Sequence, residues 1–397
     1  MKEAKAAKKP SQEKAIFKLY SLGIVTNRDD WAYDDNRDSL AKKIRYFCQA
    51  FQTEGDRWRS AGRPAATSDF VDRSIKWTSE LEAHMRRGTE LMFDRRRIVS
   101  SMYRPFVKRF AYFAPVITHR PYQNFSLFPS DGTRNIGYSF SVGKRSQFGL
   151  IAVDCLPSLD MFVPSAGQVA CLWRYDERGQ RIDNVTDWAL DQFKNRYRPD
   201  RKPSPQPSSK GRGSQRPITK EAIFHYGYGV LHDPVYREKY ALNLKREFPS
   251  IPFYPDFWQW ADWGKELMNL HIDYETVMPF KVKRTDICDD KSRKARVTPK
   301  AMLKADKEAG RIVLDSETTL SGIPREAWAY TLGNRSALEW ILDQYKESKP
   351  KDPTIREKFD TYRFADYKEK VIDLLMRVTT VSIRTVAIVN AMKRTHR

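Results

Sequence analysis

No apolar run of about eighteen residues occurs in this chain, so no helix is expected to span a bilayer. The four cysteines, Cys48, Cys155, Cys171 and Cys288, nowhere form a C-x-x-C pair, and the 6 histidines do not gather beside them. A zinc site and a disulfide framework are therefore not indicated, and all four are expected to be buried thiols. The amino terminus is basic but lacks the apolar core and small-residue cleavage site of a secretory signal, which leaves the cytosol as the expected location.

Catalytic motifs are scarce as well. GYSFSVGKRS, Gly137 to Ser146, resembles a phosphate loop, yet one residue too many separates Gly137 from Gly143, and Arg145 stands where a magnesium-holding Ser or Thr belongs. An Asp-Pro-Pro-Tyr motif of an adenine methyltransferase needs a Pro-Pro pair, and there is none. No G-x-S-x-G elbow serves acyl transfer. Glu347-Ser348-Lys349 is the one Glu-x-Lys that suggests a nuclease metal site, but it follows a helix and precedes proline rather than lying on a strand. Binding is favoured over catalysis, and no cofactor or metal is expected.

What is abundant is positive charge, with 71 Lys and Arg against 50 Asp and Glu and a net charge of +21 over 397 residues. Clustered cations gain by releasing counterions from polyanions, so nucleic acid or an anionic surface is the natural partner. The 40% of hydrophobic and 13% of aromatic residues are enough to fill cores of roughly two or three packed units.

The composition divides the chain. Residues 1–197 open with helical patterns at Arg37 to Phe51 and Phe70 to Arg87, then turn strand-like in NIGYSFSV, FGLIAVDCL and QVACLWRYD. Residues 198–217, RPDRKPSPQPSSKGRGSQRP, read as a flexible basic linker or loop. Residues 218–397 read as mainly helical, with a strand at GRIVLD and a long amphipathic helix at the end. The expected class is α+β, a β-rich first part with flanking helices and a mainly helical second part.

Three basic groups stand out. In RRRIVSSMYRPFVKRFAYF, Arg95 to Phe113, basic residues including Arg104 and Lys108 interleave with aromatics, and Pro105 suggests a turn that presents Arg104. His119 to Gln147 carries Arg120, Asn124, Arg134, Lys144 and Arg145 in a loop-like context, and Arg, Asn and Gln are the types that read base edges. They are also the residues of any wet loop. Lys281 to Lys300, with Arg284, reads as a solvated loop able to meet phosphates. In TLGNRSALEWILDQY, Ser336 and Glu339 have capping-box spacing, which places Asn334 and Arg335 just outside a helix start, where the dipole does nothing for a cation. DNA, or an acid such as Glu326, would then answer Arg335. His225, His232 and His271 sit in aromatic helices and are expected as packing residues, and FWQWADW as core.

KAIFKLYSLGIVTNRDDWAY, SSMYRPFVKRFAYF, the stretch from Ile218 to Glu275 and SGIPREAWAYTLGNRSALEWILDQY resemble the carboxy-terminal specificity region of type ISP restriction-modification enzymes. Such enzymes join nuclease, helicase, adenine-N6 methyltransferase and target-recognition parts. The resemblance implies that this chain is the last part alone, a non-catalytic double-stranded DNA-binding module serving adenine-N6 methyltransferase and helicase/nuclease modules in cis or trans, with no membrane partner. The residues expected on DNA are Arg104, Lys108, Arg120, Asn124, Arg134, Lys144, Arg145, Arg284, Asn334 and Arg335. The rival readings are a stand-alone nuclease with an unrecognised metal site and an RNA-binding or scaffold protein.

Overall fold

The computed structural model describes residues 14–198 and 216–397, apart from positions 65, 131, 144–146, 163, 165 and 166. With 42% helix and 19% strand in several small sheets, the fold is α+β, as the periodicities imply. Nearly all of the expected linker, 199–215, falls outside the described residues.

The strands of the first half are β1 (Ser21–Leu22), β2 (Tyr33–Asp34), β3 (Ile98–Arg104), β4 (Val107–Tyr112), β5 (Gly137–Ser141), β6 (Leu150–Val153), β7 (Leu156–Pro157), β8 (Gly167–Cys171), β9 (Trp173–Tyr175) and β10 (Arg181–Asp183). Those of the second half are β11 (Lys283–Asp286), β12 (Ala301–Asp306), β13 (Arg311–Asp315), β14 (Thr318–Ser321), β15 (Thr331–Leu332) and β16 (Arg335–Ser336). They form three four-stranded sheets, ordered β1-β8-β5-β6, β2-β4-β3-β7 and β11-β14-β13-β12, and two two-stranded ones, β9 with β10 and β15 with β16. The main helices are α1 (Arg37–Ser60), α2 (Lys220–His232), α3 (Phe257–Ile272), α4 (Ala337–Gln344) and α5 (Phe364–Lys393).

The sheet β1-β8-β5-β6 is a wall between two cores. Side chains alternate across a strand, so Tyr138, Phe140, Leu150, Ala152 and Ala170 enter one core, while Ile151, Val153, Val169 and Cys171 enter the other. That explains why these strands read as almost unbroken apolar runs, since both of their faces are covered. On the first side lie α2 and α3, which approach so closely that a Cβ on Gly264 would stand 1.8 Å from the His225 carbonyl oxygen. On the other lie α1, the sheet β2-β4-β3-β7, the sheet β11-β14-β13-β12 and α4. Helix α5 serves both, giving Val371 to Val381 to the larger core and Ile388 and Met392 to the smaller. Each core thus draws on residues from both sides of 198–217.

Local departures have local causes. The helix expected over Phe70 to Arg87 is interrupted, because the Asp72 carboxylate accepts the Ser74 N–H and Glu54 accepts the Asp72 N–H, which holds a turn. The helix restarts at Ser79–Arg86 under a Thr78 cap. Of the four thiols, Cys48 and Cys171 are buried and Cys155 half-buried, but Cys288 is exposed, since it sits in the polar segment before β12. Trp260 is fully buried, as FWQWADW suggests. Among the described residues no helix is long and apolar enough to cross a membrane.

Candidate nucleic-acid interface

The basic strip 95–113 folds inward. Strands β3 and β4 form a hairpin whose turn residue Phe106 takes φ +60° and is wholly buried against Tyr274, His271 and Tyr330. The Pro105 turn therefore does not present Arg104 to solvent, which corrects the sequence expectation. Its guanidinium is half-buried, lies 4.1 Å over the Tyr103 ring and donates to the Tyr103 carbonyl at 2.7 Å. Lys108 sits 3.0 Å from Glu275 and 3.4 Å from Asp154. Burial works against its charge, and the surrounding Cys155, Asp154 and Glu275 more than offset this, so its pKa is raised. Arg109 pairs with Asp35 at 3.2 Å and also lies over the Tyr103 ring, 4.6 Å from its centre. Lys108 and Arg109 are thus engaged by carboxylates of the fold itself, Arg109 by the largely buried Asp35 and Lys108 by the more exposed Asp154 and Glu275.

Two further candidates have structural partners. Asn124 is fully buried, and its amide donates at 2.8 Å to the carbonyls of Leu22 and Pro121, so it ties two backbone segments together instead of facing solvent. Arg284 reaches Asp286 and, on α5, Glu369, each at 2.8 Å. Glu347 of the suspected Glu-x-Lys accepts the Phe364 N–H at 2.8 Å and so caps α5. Among the described residues no group of three His, Cys, Asp or Glu side chains is placed to hold a metal.

The loops differ. Arg120 and Arg134 are exposed, with no carboxylate within ion-pair distance among the described residues. Lys144 and Arg145 lie outside the described residues, but their neighbour Gln147 donates its backbone N–H to the Asn334 side-chain oxygen at 3.2 Å. The fold thus joins two groups that are far apart in sequence, the loop after β5 and the tip of the β15-β16 hairpin. Gly333, at φ +67°, makes that tip possible.

At the helix start beside this contact, the capping box forms as its spacing implies. The Ser336 hydroxyl accepts the Glu339 N–H at 3.3 Å, and the Glu339 carboxylate accepts the Ser336 N–H at 2.9 Å. Arg335 is answered by Asp343 on α4 at 2.8 Å, not by Glu326, and lies 4.9 Å from the Trp340 ring centre. No local spacing announced Asp343, because a hairpin strand and a helix two turns on must first fold together. The Arg335 side chain remains 44% exposed, so the pair is worth at most about 1 kcal/mol and leaves the guanidinium able to exchange partners. Ser336→Ala is expected to cost roughly 1 kcal/mol of stability, read as an earlier urea midpoint, because a cap acceptor is lost.

Residues 15–374 match the model of the Type ISP C-terminal specificity domain. A search of curated proteins finds no match. Among solved structures, the DrdV–DNA complex studied by cryoEM contains a chain 44% identical, with a TM-score of 0.87, covering 100% of this chain and 38% of its own. A nuclease-deletion mutant of the Type ISP restriction-modification enzyme LlaGI, in complex with a DNA substrate mimic, is 23% identical with a TM-score of 0.77, over 96% of this chain and 33% of its own. The ATP-dependent Type ISP enzyme LlaBIII bound to DNA is 22% identical with a TM-score of 0.77, over 98% of this chain and 24% of its own. The two lower identities show a common fold. In each case this chain spans well under half of the relative's length. The match over most of its residues, with the same architecture in a relative of 44% identity, makes the chain a member of the Type ISP C-terminal specificity domain family.

Proposed function

We propose that this chain recognises a specific sequence in double-stranded DNA, is itself non-catalytic, and directs adenine-N6 methyltransferase and helicase/nuclease modules in cis or in trans, in the cytosol. The observation that carries this reading is the end-to-end likeness to a chain of 44% identity solved as a DNA complex. The net charge of +21 supports it. So do the exposed loop cations Arg120 and Arg134 and the exposed Arg335–Asp343 pair, whose guanidinium can exchange partners, with Asn334 accepting the Gln147 N–H close by. On this reading the residues before and after 198–217 act together, because both cores bridge them.

The test is to select bound duplexes from a random library and then titrate the recovered sequence from about 50 to 200 mM salt. If 6 to 10 phosphates are contacted, affinity falls by roughly three to five decades over that range. A recovered motif with that slope is the expected result. A flat salt response, equal competition by single strands, or magnesium-dependent cleavage of plasmid by the purified chain would overturn the reading.

A further inference from the structure

The register of the sheet β11-β14-β13-β12 sorts its charges by face. On β11, Arg284 and Asp286 point toward α5, where Arg284 meets Glu369. Lys283 and Thr285, one residue out of phase, point the other way. The pairing continues that outer face across the sheet. Lys283 stands opposite Ser321, Ser321 opposite Arg311, and Arg311 opposite Asp306; in the adjacent row Thr285 faces Thr319, Thr319 faces Val313, and Val313 faces Lys304. The inner face carries Leu303, Ile312, Leu314 and Leu320 into the larger core, so the two sides are chemically distinct.

The outer face is cationic and hydroxyl-bearing. Lys283, Thr285, Lys304 and Arg311 are exposed, and its single carboxylate in these rows, Asp306, is taken up by Arg311 at 3.1 Å. Neither Lys283 nor Lys304 has a carboxylate within ion-pair distance among the described residues. The two lysines stand on opposite edge strands, three strand spacings or about 14 Å apart across the sheet and two residues or about 7 Å apart along it, roughly 16 Å in all, with hydroxyls of Ser321 and Thr319 on the strand between. The major groove of B-DNA is about 12 Å wide, with a phosphate strand along each side.

We propose that this outer face contacts duplex DNA, with Lys283 and Lys304 meeting phosphates on the two sides of a groove. This rests on the reading of the chain as a DNA-recognition module and adds a surface that composition alone hid, since the sequence pointed to Arg284, the neighbour turned inward. Lysine suits the role because an ammonium on a flexible stem meets a phosphate as a point charge from many directions.

The experiment compares the full chain with Lys283→Gln/Lys304→Gln and with a charge-matched control, Lys42→Gln/Lys265→Gln, on α1 and α3 outside this sheet. Affinity for the selected duplex is measured from about 50 to 200 mM salt, and the urea midpoint of each protein is recorded. The test variant should lower the log–log salt slope by about two and weaken binding roughly tenfold or more, at an unchanged midpoint. The control should keep the parent slope. Lys283→Arg/Lys304→Arg should keep it as well, which separates loss of charge from loss of fold. If the parent binds duplex and the Gln variant keeps its slope, the proposed face is wrong while the recognition reading stands. If the parent binds no duplex, both fall. If polyglutamate binding is lost in the Gln variant while duplex binding persists, the face takes an acidic protein and the proposal is overturned.

Discussion

The free energy of unfolding is expected to fall steeply as the pH drops from 6.5 toward 5, above the range in which ordinary exposed carboxylates titrate. The cause is three histidines held neutral inside the smaller core or at its boundary. Burial lowers His271 from 6.5 to about 3, with the Arg237 charge adding to the effect. Burial lowers His225 to about 4, and it drives His232 well below its ordinary value, helped by Arg237 and His271. Geometry agrees, since His271 is gripped by the Tyr228 hydroxyl at 2.6 Å on Nδ1 and the Thr385 hydroxyl at 2.9 Å on Nε2, so that both ring nitrogens meet neutral hydroxyls. His232 has its Nδ1 against the Tyr228 carbonyl at 2.9 Å, and its Nε2 has no hydrogen-bond partner among the described residues.

In the unfolded chain these rings take up protons below pH 6.5, and in the folded chain they do not. Stability is therefore complete above that pH and is lost as the pH falls toward the folded values, by at most about 1.4 kcal/mol per pH unit for each ring, or about 4 kcal/mol per unit for all three. Carboxylates held low in the fold, such as Asp94 beside Arg96, add their own loss only below about pH 4.5. Urea midpoints between pH 8 and pH 5 measure the effect. His271→Gln should be less stable at pH 8, because it leaves a poor fit between two hydroxyls, yet should show a shallower decline toward pH 5. A flat profile from pH 7 to pH 5 would mean that the rings are hydrated or paired in solution.

Arg397→Ala is expected to be the most damaging single surface-accessible change. Asp233 is completely buried, caps the helix Pro234–Lys239 by accepting the Val235 N–H at 3.0 Å, and accepts the Tyr254 hydroxyl at 2.8 Å. Arg397 closes the arrangement with Nε at 2.7 Å and Nη2 on the other carboxylate oxygen, and it is itself held by the Met392 and Thr395 carbonyls. Removing the guanidinium leaves a buried carboxylate short of donors. The cost should approach the 3 to 5 kcal/mol typical of a broken buried pair, about 2 to 4 kcal/mol here because Arg397 is partly exposed. Asp233→Asn on top of Arg397→Ala should recover part of the loss, since an amide carries no charge to bury. Equal midpoints for Arg397→Ala and the parent would show that Asp233 finds water instead.

The elements that could be read from the residues are those whose signal is local. Asn36, Thr219 and Asp256 cap α1, α2 and α3 because a short polar side chain just before an apolar period satisfies the first free N–H groups. Ser336 with Glu339 does the same for α4. β-branched and aromatic runs marked β5, β6 and β8, and the quoted motifs were sufficient to indicate the family. The candidate interface was only partly legible. Arg104, Lys108 and Asn124 look in sequence like Arg120 and Arg134, and the difference lies in partners that are remote along the chain.

Composition and periodicity by themselves determined that the chain is basic and folded, that helices open near Arg37 and at Ser336, and that the familiar catalytic motifs are missing. Tertiary structure alone decided which cations are free. Glu275 comes to Lys108 from 167 residues away and Glu369 to Arg284 from 85. Whether a charged side chain pairs within the fold or remains for a partner depends on distances of a few ångströms between segments, and a sequence pattern carries no such distance. The same holds for the strand register that turns Arg284 toward α5 and leaves Lys283 outside, because a shift of one residue exchanges the two faces of a sheet.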